Sequence, residues 1–164
     1  MKILSLISTL IMCLVLVTGC SSNFELKEEP YKVADKILDA SEFPDMEKLY
    51  KNNKENPENV DAIIDMYYGL KTKDFKNYAI YYAGSGGTAD EIAIIEFADK
   101  KEADKNKTTF EKRITERKNI FAGYAPDEVK KLEKAKVEVK GKYVFLIISS
   151  DPDKALKIFN DSKK

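Results

Sequence analysis

Two stretches of sequence decide the fold: EIAIIEFA at residues 91–98 and YVFLIIS at residues 143–149. Successive side chains of a β-strand point to opposite faces of the sheet. Both stretches are apolar on the two faces; in the first, for example, Ile92 and Ala93 alternate in this way. A strand that is apolar on both faces belongs in the middle of a sheet that is covered on both sides. We therefore expect both stretches to be central strands.

A shorter strand precedes each central strand, and a turn connects the two. Residues 78–83 are rich in Tyr and Ile, and a glycine-rich connection joins them to residues 91–98. Residues 136–140 (KVEVK) alternate strictly between charged and apolar side chains, which is typical of an edge strand. We expect two hairpins whose second strands are adjacent in the centre of the sheet.

Helical periodicity and capping residues surround the hairpins. Before the first hairpin we expect three helices, over residues 31–38, over residues 45–54 and from residue 57 to Gly69. Between the hairpins we expect a long helix that follows the charged run 99–107 and ends at Gly123, and a short helix that begins at Pro126. A last helix begins at Pro152. This order predicts an α+β fold with a four-stranded, mainly antiparallel sheet, in the order hairpin–helix–hairpin–helix with additional N-terminal helices. Either helices cover both faces of this sheet or a partner covers one of them.

The first twenty residues carry the features of a secretory signal. Lys2 precedes an apolar run over residues 3–17, which is shorter than the roughly 20 residues that span a bilayer. The sequence VTGC at residues 17–20 resembles the lipobox of bacterial lipoproteins, in which the Cys thiol receives a diacylglycerol. Cys20 is therefore the expected lipidation site. The alternative is a transmembrane anchor in which this Cys occurs by chance.

The lipobox sets the expected organisation of the chain. Residues 1–19 are the signal peptide, 20–30 are the lipidated Cys with a flexible tether, and 31–164 form a single globular domain. Cys13 leaves with the signal peptide, so the mature chain has no disulfide and no free thiol. We expect the domain to be attached through lipid to the extracytoplasmic face of the cell membrane.

Composition excludes several classes of function. The chain has 164 residues, with 28 Lys and Arg against 28 Asp and Glu, no His and no Trp. The lack of His removes the commonest general base and most zinc sites. Balanced charge provides no positive field that would hold nucleic acid. We expect no cofactor, no metal and no nucleic-acid partner.

Two pairs of charged residues are candidates for binding. Arg113 and Arg117 are the two arginines of the chain, and their spacing places them on one face of a helix. They could bind a carboxylate or phosphate, or they could pair with nearby acidic residues of the protein. Asp90 and Glu91 are adjacent on a strand, so we expect their side chains to point to opposite faces and not to act as a catalytic pair.

Tyrosines near the glycine-rich loop 84–88 are a further candidate. Tyr124 and several other tyrosines could form an exposed ledge that binds sugar or peptide by stacking. The alternative is that these aromatic side chains fill the core, since aromatic residues favour strands. The loop resembles a phosphate-binding loop in its glycines only, because it connects two strands and lacks the following Lys.

Three stretches together resemble a known family: ADEIAI at 89–94, the segment 117–126 that contains FAGYAP, and the segment 139–151. In this combination the chain is similar to uncharacterised lipoproteins of low-GC Gram-positive bacteria that share a C-terminal domain of unknown function. The resemblance covers residues 61–159. It implies an envelope lipoprotein and supplies no catalytic residue, so Cys20 is the one functional position that it supports.

The function expected from the sequence is a non-enzymatic, lipid-anchored binding or protein-interaction module. Its partners are the membrane, through the N-terminal lipid, and an envelope protein or a cell-wall polymer. Asp90, Glu91, Arg113, Arg117 and Tyr124 are the candidate binding residues. The alternatives are a carboxylate-dependent cell-wall hydrolase and a solute-binding lipoprotein.

Overall fold

The computed structural model describes residues 24–164, so the predicted signal peptide and Cys20 lie outside the described residues. This part of the chain contains five α-helices and five strands. Their order is α1 (Pro30–Ala40), β1 (Met46–Tyr50), α2 (Val60–Tyr68), β2 (Asn77–Ala83), β3 (Glu91–Glu96), α3 (Lys100–Phe121), α4 (Pro126–Glu133), β4 (Lys136–Lys140), β5 (Tyr143–Ile148) and α5 (Pro152–Asp161). A short 3₁₀ turn over Thr72–Asp74 precedes β2.

The strands of residues 24–164 form one antiparallel sheet of five strands, in the order β1-β2-β3-β5-β4. The α+β class and the antiparallel sheet are thus confirmed. The second strands of the two hairpins, β3 and β5, are adjacent in the centre, where Ile94 pairs with Phe145. β4 lies at one edge, as its charged alternation predicted.

The prediction of four strands is wrong, because β1 forms where a helix over 45–54 was expected. Met46, Leu49 and Tyr50 have helical spacing, but an isolated segment this short is a poor helix. As a strand it pairs with β2, with Leu49 opposite Ile80 and 2% exposed. β2 is itself buried on both faces and therefore needs a neighbour on its outer side.

Helices cover both faces of the sheet. On one face α2, α3 and α4 pack against Ile80, Ala93, Ile95 and other side chains of β2, β3 and β5. On the other face α1 and α5 pack against the alternate residues of the same strands, such as Ile94. The core therefore consists of two apolar layers that the central strands separate, as the two-faced sequences predicted.

The chain is packed from Phe24 onward, which differs from the flexible tether predicted over 20–30. Phe24 and Leu26 are 6% and 4% exposed. The ring of Phe24 lies 5.2 Å from that of Phe159 in α5, and Leu26 forms a β-bridge with Lys163. The Lys27 N–H donates to the Ser162 carbonyl at 2.9 Å. These contacts make residues 24–29 part of the domain.

The sheet has two ends that differ in what surrounds them. At the Tyr143 end, Tyr143 pairs with Glu96 and Lys140, and the β4–β5 turn touches the N-terminal segment. Gly141 in this turn has φ +54°, and a Cβ there would lie 2.6 Å from the Phe24 carbonyl oxygen. At the Ile148 end, Ile148 pairs with Glu91. Among residues 24–164, none of the helices combines the length and the hydrophobicity that a membrane span requires.

Candidate functional site

A buried ion pair lies at the Ile148 end of the sheet, between β3 and α3. Arg113 donates from Nη2 to Glu91 Oε2 at 2.7 Å and from Nε to the same oxygen at 3.1 Å. The side chains are 8% and 1% exposed, respectively. Arg113 lies on the buried stripe of α3, between Phe110 and Phe121. A charge buried on an apolar stripe requires a partner, and Glu91 provides it.

Two tyrosines of α2 complete the surroundings of this pair. The Tyr68 hydroxyl donates to Glu91 Oε1 at 2.5 Å, and the Tyr67 ring lies 4.0 Å from the guanidinium carbon of Arg113. Burial, followed by the nearby Glu91 charge, raises the pKa of Tyr68 well above its ordinary value. Burial would lower the pKa of Arg113, but the charge and hydrogen bonds of Glu91 outweigh it and raise that pKa. Tyr68 therefore stays a neutral donor and Arg113 stays a cation at physiological pH.

A second ion-pair group joins Asp90 to α4. Lys131 Nζ contacts Asp90 Oδ2 at 2.8 Å and Glu128 Oε2 at 3.0 Å. Glu128 Oε2 also accepts from the Ala89 N–H at 2.7 Å. Burial lowers the pKa of Lys131, but its hydrogen bonds to the two carboxylates outweigh this effect and raise the pKa. The group fastens α4 to the start of β3.

The two adjacent carboxylates thus have separate cations, and each is held by a helix of the same face. The expectation that Asp90 and Glu91 point to opposite faces is wrong. Asp90 precedes the first residue of β3, so the strict alternation of a strand does not apply to it. Asp90 is engaged by Lys131 and Glu91 by Arg113. That the two carboxylates do not act as a catalytic pair stays a prediction.

Arg117, one turn after Arg113, has a different environment. Its Nη2 donates to the Thr88 carbonyl at 2.8 Å, and its guanidinium carbon lies 4.6 Å from the centre of the Phe121 ring. Among residues 24–164 it forms no salt bridge, and its buried Nε has no hydrogen-bond partner. The nearby Thr88 Oγ1 is also buried without a partner. Burial, followed by the Arg113 charge, lowers the pKa of Arg117.

Two exposed apolar side chains follow Arg117 in sequence. Ile120 is 54% exposed and Tyr124 is 60% exposed, and the Tyr124 ring lies 5.2 Å from that of Phe121. We call Thr88, Arg117, Ile120 and Tyr124 the Arg117 surface. It lies at the C-terminal end of α3, beside the exposed part of loop 84–88.

The structure brings the five predicted binding residues together in one region and separates their roles. Asp90, Glu91 and Arg113 are buried in ion pairs, whereas Arg117 and Tyr124 reach the surface. The predicted tyrosine ledge does not form beside the loop, because Tyr78 and Tyr81 are core residues. Tyr67 and Tyr82 are half-buried and pack edge-to-face at 5.1 Å.

Sequence reasoning missed Tyr68, Thr88, Glu128 and Lys131. Two signals were available. Glu91 begins a strand whose interior is apolar on both faces, so a cation had to be near it. The spacing of Glu128 and Lys131 on α4 also indicated a pair. Residues 24–164 contain no group of three acidic, Cys or His side chains that could hold a metal ion.

A family model described as "Domain of unknown function (DUF4358)" matches residues 48–149, which is more than half of the chain. The chain belongs to the DUF4358 family. The DUF4358 region contains α2, α3, α4, the strands from β2 to β5 and the second part of β1, so it includes both ion-pair groups and the Arg117 surface. It does not include α1, α5 or residues 24–29, which cover the second face of the sheet in this chain. Comparison with the curated proteins and with the solved structures found no match.

Proposed function

We propose that this DUF4358 protein is a bacterial envelope lipoprotein, attached to the membrane through Cys20, and that its domain is a non-enzymatic binding module. The support for the attachment is the sequence: Lys2, the apolar run 3–17 and the lipobox-like VTGC at 17–20. Two acyl chains, at about 0.8 kcal/mol per buried methylene, hold a protein on a bilayer without a spanning helix. The resemblance to lipoproteins of low-GC Gram-positive bacteria supports the same proposal.

The observation that carries the proposal is the position at which the packed domain begins. Phe24 is buried against α5 and the β4–β5 turn, so three residues separate it from Cys20. Four residue steps span at most about 14 Å. A lipid on Cys20 would therefore hold the Tyr143 end of the sheet close to the membrane surface.

This spacing also orients the DUF4358 domain. β5 runs from Tyr143 to Ile148, and its five residue steps extend about 17 Å. Loop 84–88 and the Arg117 surface lie at the Ile148 end, because Arg117 contacts Thr88 and Arg113 contacts Glu91. In the proposed orientation this end faces away from the membrane, where a partner in the envelope can reach it.

Binding is a better fit than hydrolysis to the two carboxylates in this region. A general acid must come within about 3 Å of the atom that it protonates. Glu91 is 1% exposed and is occupied by Arg113 and Tyr68, and Asp90 is 3% exposed and is occupied by Lys131. A substrate could reach neither group without breaking an ion pair. These contacts support a structural role for both carboxylates.

Mass spectrometry of the chain produced in a Gram-positive host tests the attachment. We expect cleavage before Cys20 and a diacylglyceryl adduct on that residue, with the protein in the membrane fraction. The Cys20→Ser variant should lose the adduct, and the matched Cys13→Ser variant should keep it because Cys13 leaves with the signal peptide. An uncleaved chain without a fatty adduct would refute the proposal.

Site-specific labelling tests the orientation. Ser85 in the glycine-rich loop and Lys163 near the C-terminus are both exposed, and they lie towards opposite ends of the sheet. A fluorophore on Lys163→Cys should be quenched by lipids that carry a quencher in the headgroup, whereas a fluorophore on Ser85→Cys should not. Equal quenching at the two positions would contradict the proposed orientation.

A further inference from the structure

We infer that the Arg117 surface recognises a carboxylate of an acidic peptide segment, with an apolar side chain next to that carboxylate packing on Ile120 and Tyr124. This inference deepens the proposed function, since it states which partner the binding module accepts. The proposed partner is thus a protein that presents Asp or Glu beside an apolar residue.

The first step of the argument is the difference between the two arginines. Two nitrogens of Arg113, Nε and Nη2, donate to the Glu91 carboxylate, whereas the guanidinium of Arg117 has only the Thr88 carbonyl as a hydrogen-bond acceptor among residues 24–164. A guanidinium is a fork of donors that matches the two oxygens of a carboxylate. Arg117 is therefore a cation whose usual partner is missing from the described part of the chain.

The second step is that two buried polar atoms at this position lack partners. Arg117 Nε is a donor, and Thr88 Oγ1 can donate or accept. An unpaired buried polar group costs about 1–3 kcal/mol. Both atoms are inaccessible to solvent, so an oxyanion of a partner could accept from them only after the Arg117 side chain moves outward. The neighbouring Asp90 and Glu128 are engaged by Lys131 and by the Ala89 N–H, and neither forms a salt bridge with Arg117.

The third step is the presence of exposed apolar side chains near this cation. Met66, Ile120 and Tyr124 are the large hydrophobic side chains that are strongly exposed within residues 24–164. Two of these three belong to the Arg117 surface, and stacking through Phe121 links Arg117 to Tyr124. Tyr and Arg are the residues that most often dominate protein–protein binding energy. A phosphate-bearing polymer has no apolar side chain that could cover Ile120, so the surroundings favour a peptide.

The chain itself offers a direct probe, because it contains two arginines. The Nε–Hε region of a ¹H–¹⁵N NMR spectrum should hold one signal from each, and Arg117→Lys assigns them. We would use the full chain, purified in detergent as the cells process it, so that the result does not depend on whether Cys20 carries lipid. The Arg113 signal reports in the same spectrum whether the buried ion pair is intact.

Three ligands show whether the surface binds the carboxylate of a peptide or a phosphate. They are acetyl-Leu-Glu-Leu-amide, the same peptide with Gln in place of Glu, and inorganic phosphate. We expect the Glu peptide to shift the Arg117 Nε–Hε signal in a saturable manner at millimolar concentration and to leave Arg113 in place. The Gln peptide should bind at least about tenfold more weakly, since it lacks the charge-assisted hydrogen bonds.

Substitutions then test each part of the surface. Arg117→Lys should weaken binding of the Glu peptide about tenfold, because the ammonium cannot form the forked contact. Tyr124→Ala, at an exposed position, should weaken it severalfold. The matched control Lys112→Gln removes an exposed cation of α3 outside this surface and should change the affinity less than about twofold.

Three results would overturn the inference. Saturation by phosphate at a lower concentration than the Glu peptide would identify a phosphate-bearing ligand instead. Equal binding of the Glu and Gln peptides would remove the carboxylate from recognition. If none of the ligands shifts the Arg117 Nε–Hε signal, the role of Arg117 is to hold loop 84–88 in place. Each of these results is independent of the lipidation experiment, so the inference and the proposed attachment can fail separately.

Discussion

Removal of the Arg113 side chain is the sharpest test of the buried ion pair. Arg113→Met retains much of the apolar stem and, among residues 24–164, leaves the Glu91 carboxylate with Tyr68 as its only side-chain partner. Leaving one member of a buried pair uncompensated costs about 3–5 kcal/mol. Domains of this size have a free energy of unfolding of about 5–15 kcal/mol. We therefore expect the variant to lose a large part of its stability.

Urea titration followed by circular dichroism measures this loss. With a slope of about 2 kcal/mol per molar urea, a loss of 4 kcal/mol lowers the midpoint by about 2 M. Lys112→Met, at an exposed position of the same helix, is the matched control and should change the stability by less than about 0.5 kcal/mol.

A double variant separates charge from packing. Glu91→Gln combined with Arg113→Met removes both charges. The introduced amide oxygen can still accept the hydrogen bond that the Tyr68 hydroxyl donates. We expect this double variant to regain about 2 kcal/mol relative to Arg113→Met, because no uncompensated charge remains buried. If both variants lose the same stability, or if Arg113→Met loses less than about 1 kcal/mol, the reasoning about the pair is wrong.

Three further predictions concern the Tyr143 end of the sheet. Phe24→Ala should lower the free energy of unfolding by about 3–4 kcal/mol. Lys27→Ala, at an exposed side chain, should change it by less than about 0.5 kcal/mol. Equal urea midpoints for the two variants would mean that residue 24 is not part of the core. Gly141→Ala should cost at least about 1 kcal/mol, because of the positive φ and the contact with Phe24, while Gly123→Ala should be nearly neutral because a Cβ there has nothing within 4 Å. The free energy of unfolding should fall as pH rises from 10 to 12. Burial, followed by the Glu96 charge, raises the pKa of Tyr143 to about 12 in the folded protein. Between these pH values the folded protein therefore keeps a proton that the unfolded chain has already lost. The Tyr143 contribution is at most about 2–3 kcal/mol, and urea titrations at pH 9 and 11 should show a smaller decrease for Tyr143→Phe than for the unsubstituted protein.

The centre of the sheet could be predicted because its strands carry local signals. In β3, Ile92 and Ile94 point to one face and Ala93 and Ile95 to the other, so the strand is apolar on both faces. That pattern requires burial on both sides of the sheet. β1 could not be predicted in the same way. Its five residues fit a short helix or a strand equally well, and the choice depends on the unpaired edge of β2, which is distant in sequence.

The extent of the domain was also decided by distant contacts. Residues 24–29 are polar and charged apart from Phe24 and Leu26, so their composition resembles a tether. They are ordered into the domain by Phe159, Ser162 and Lys163, more than 130 residues later in the chain. A local sequence window contains none of those partners.

For the candidate site, the sequence determined which residues are unusual, and the tertiary structure determined what they do. Two arginines on one face of a helix and two carboxylates at the start of a strand were apparent from spacing alone. Only the packing of α3 on β3 shows that Arg113 meets Glu91 while Arg117, one turn later, meets a backbone carbonyl. The physical reason is that side-chain periodicity is a local property of the backbone, whereas the compensation of a buried charge depends on which distant segment comes within 3 Å of it.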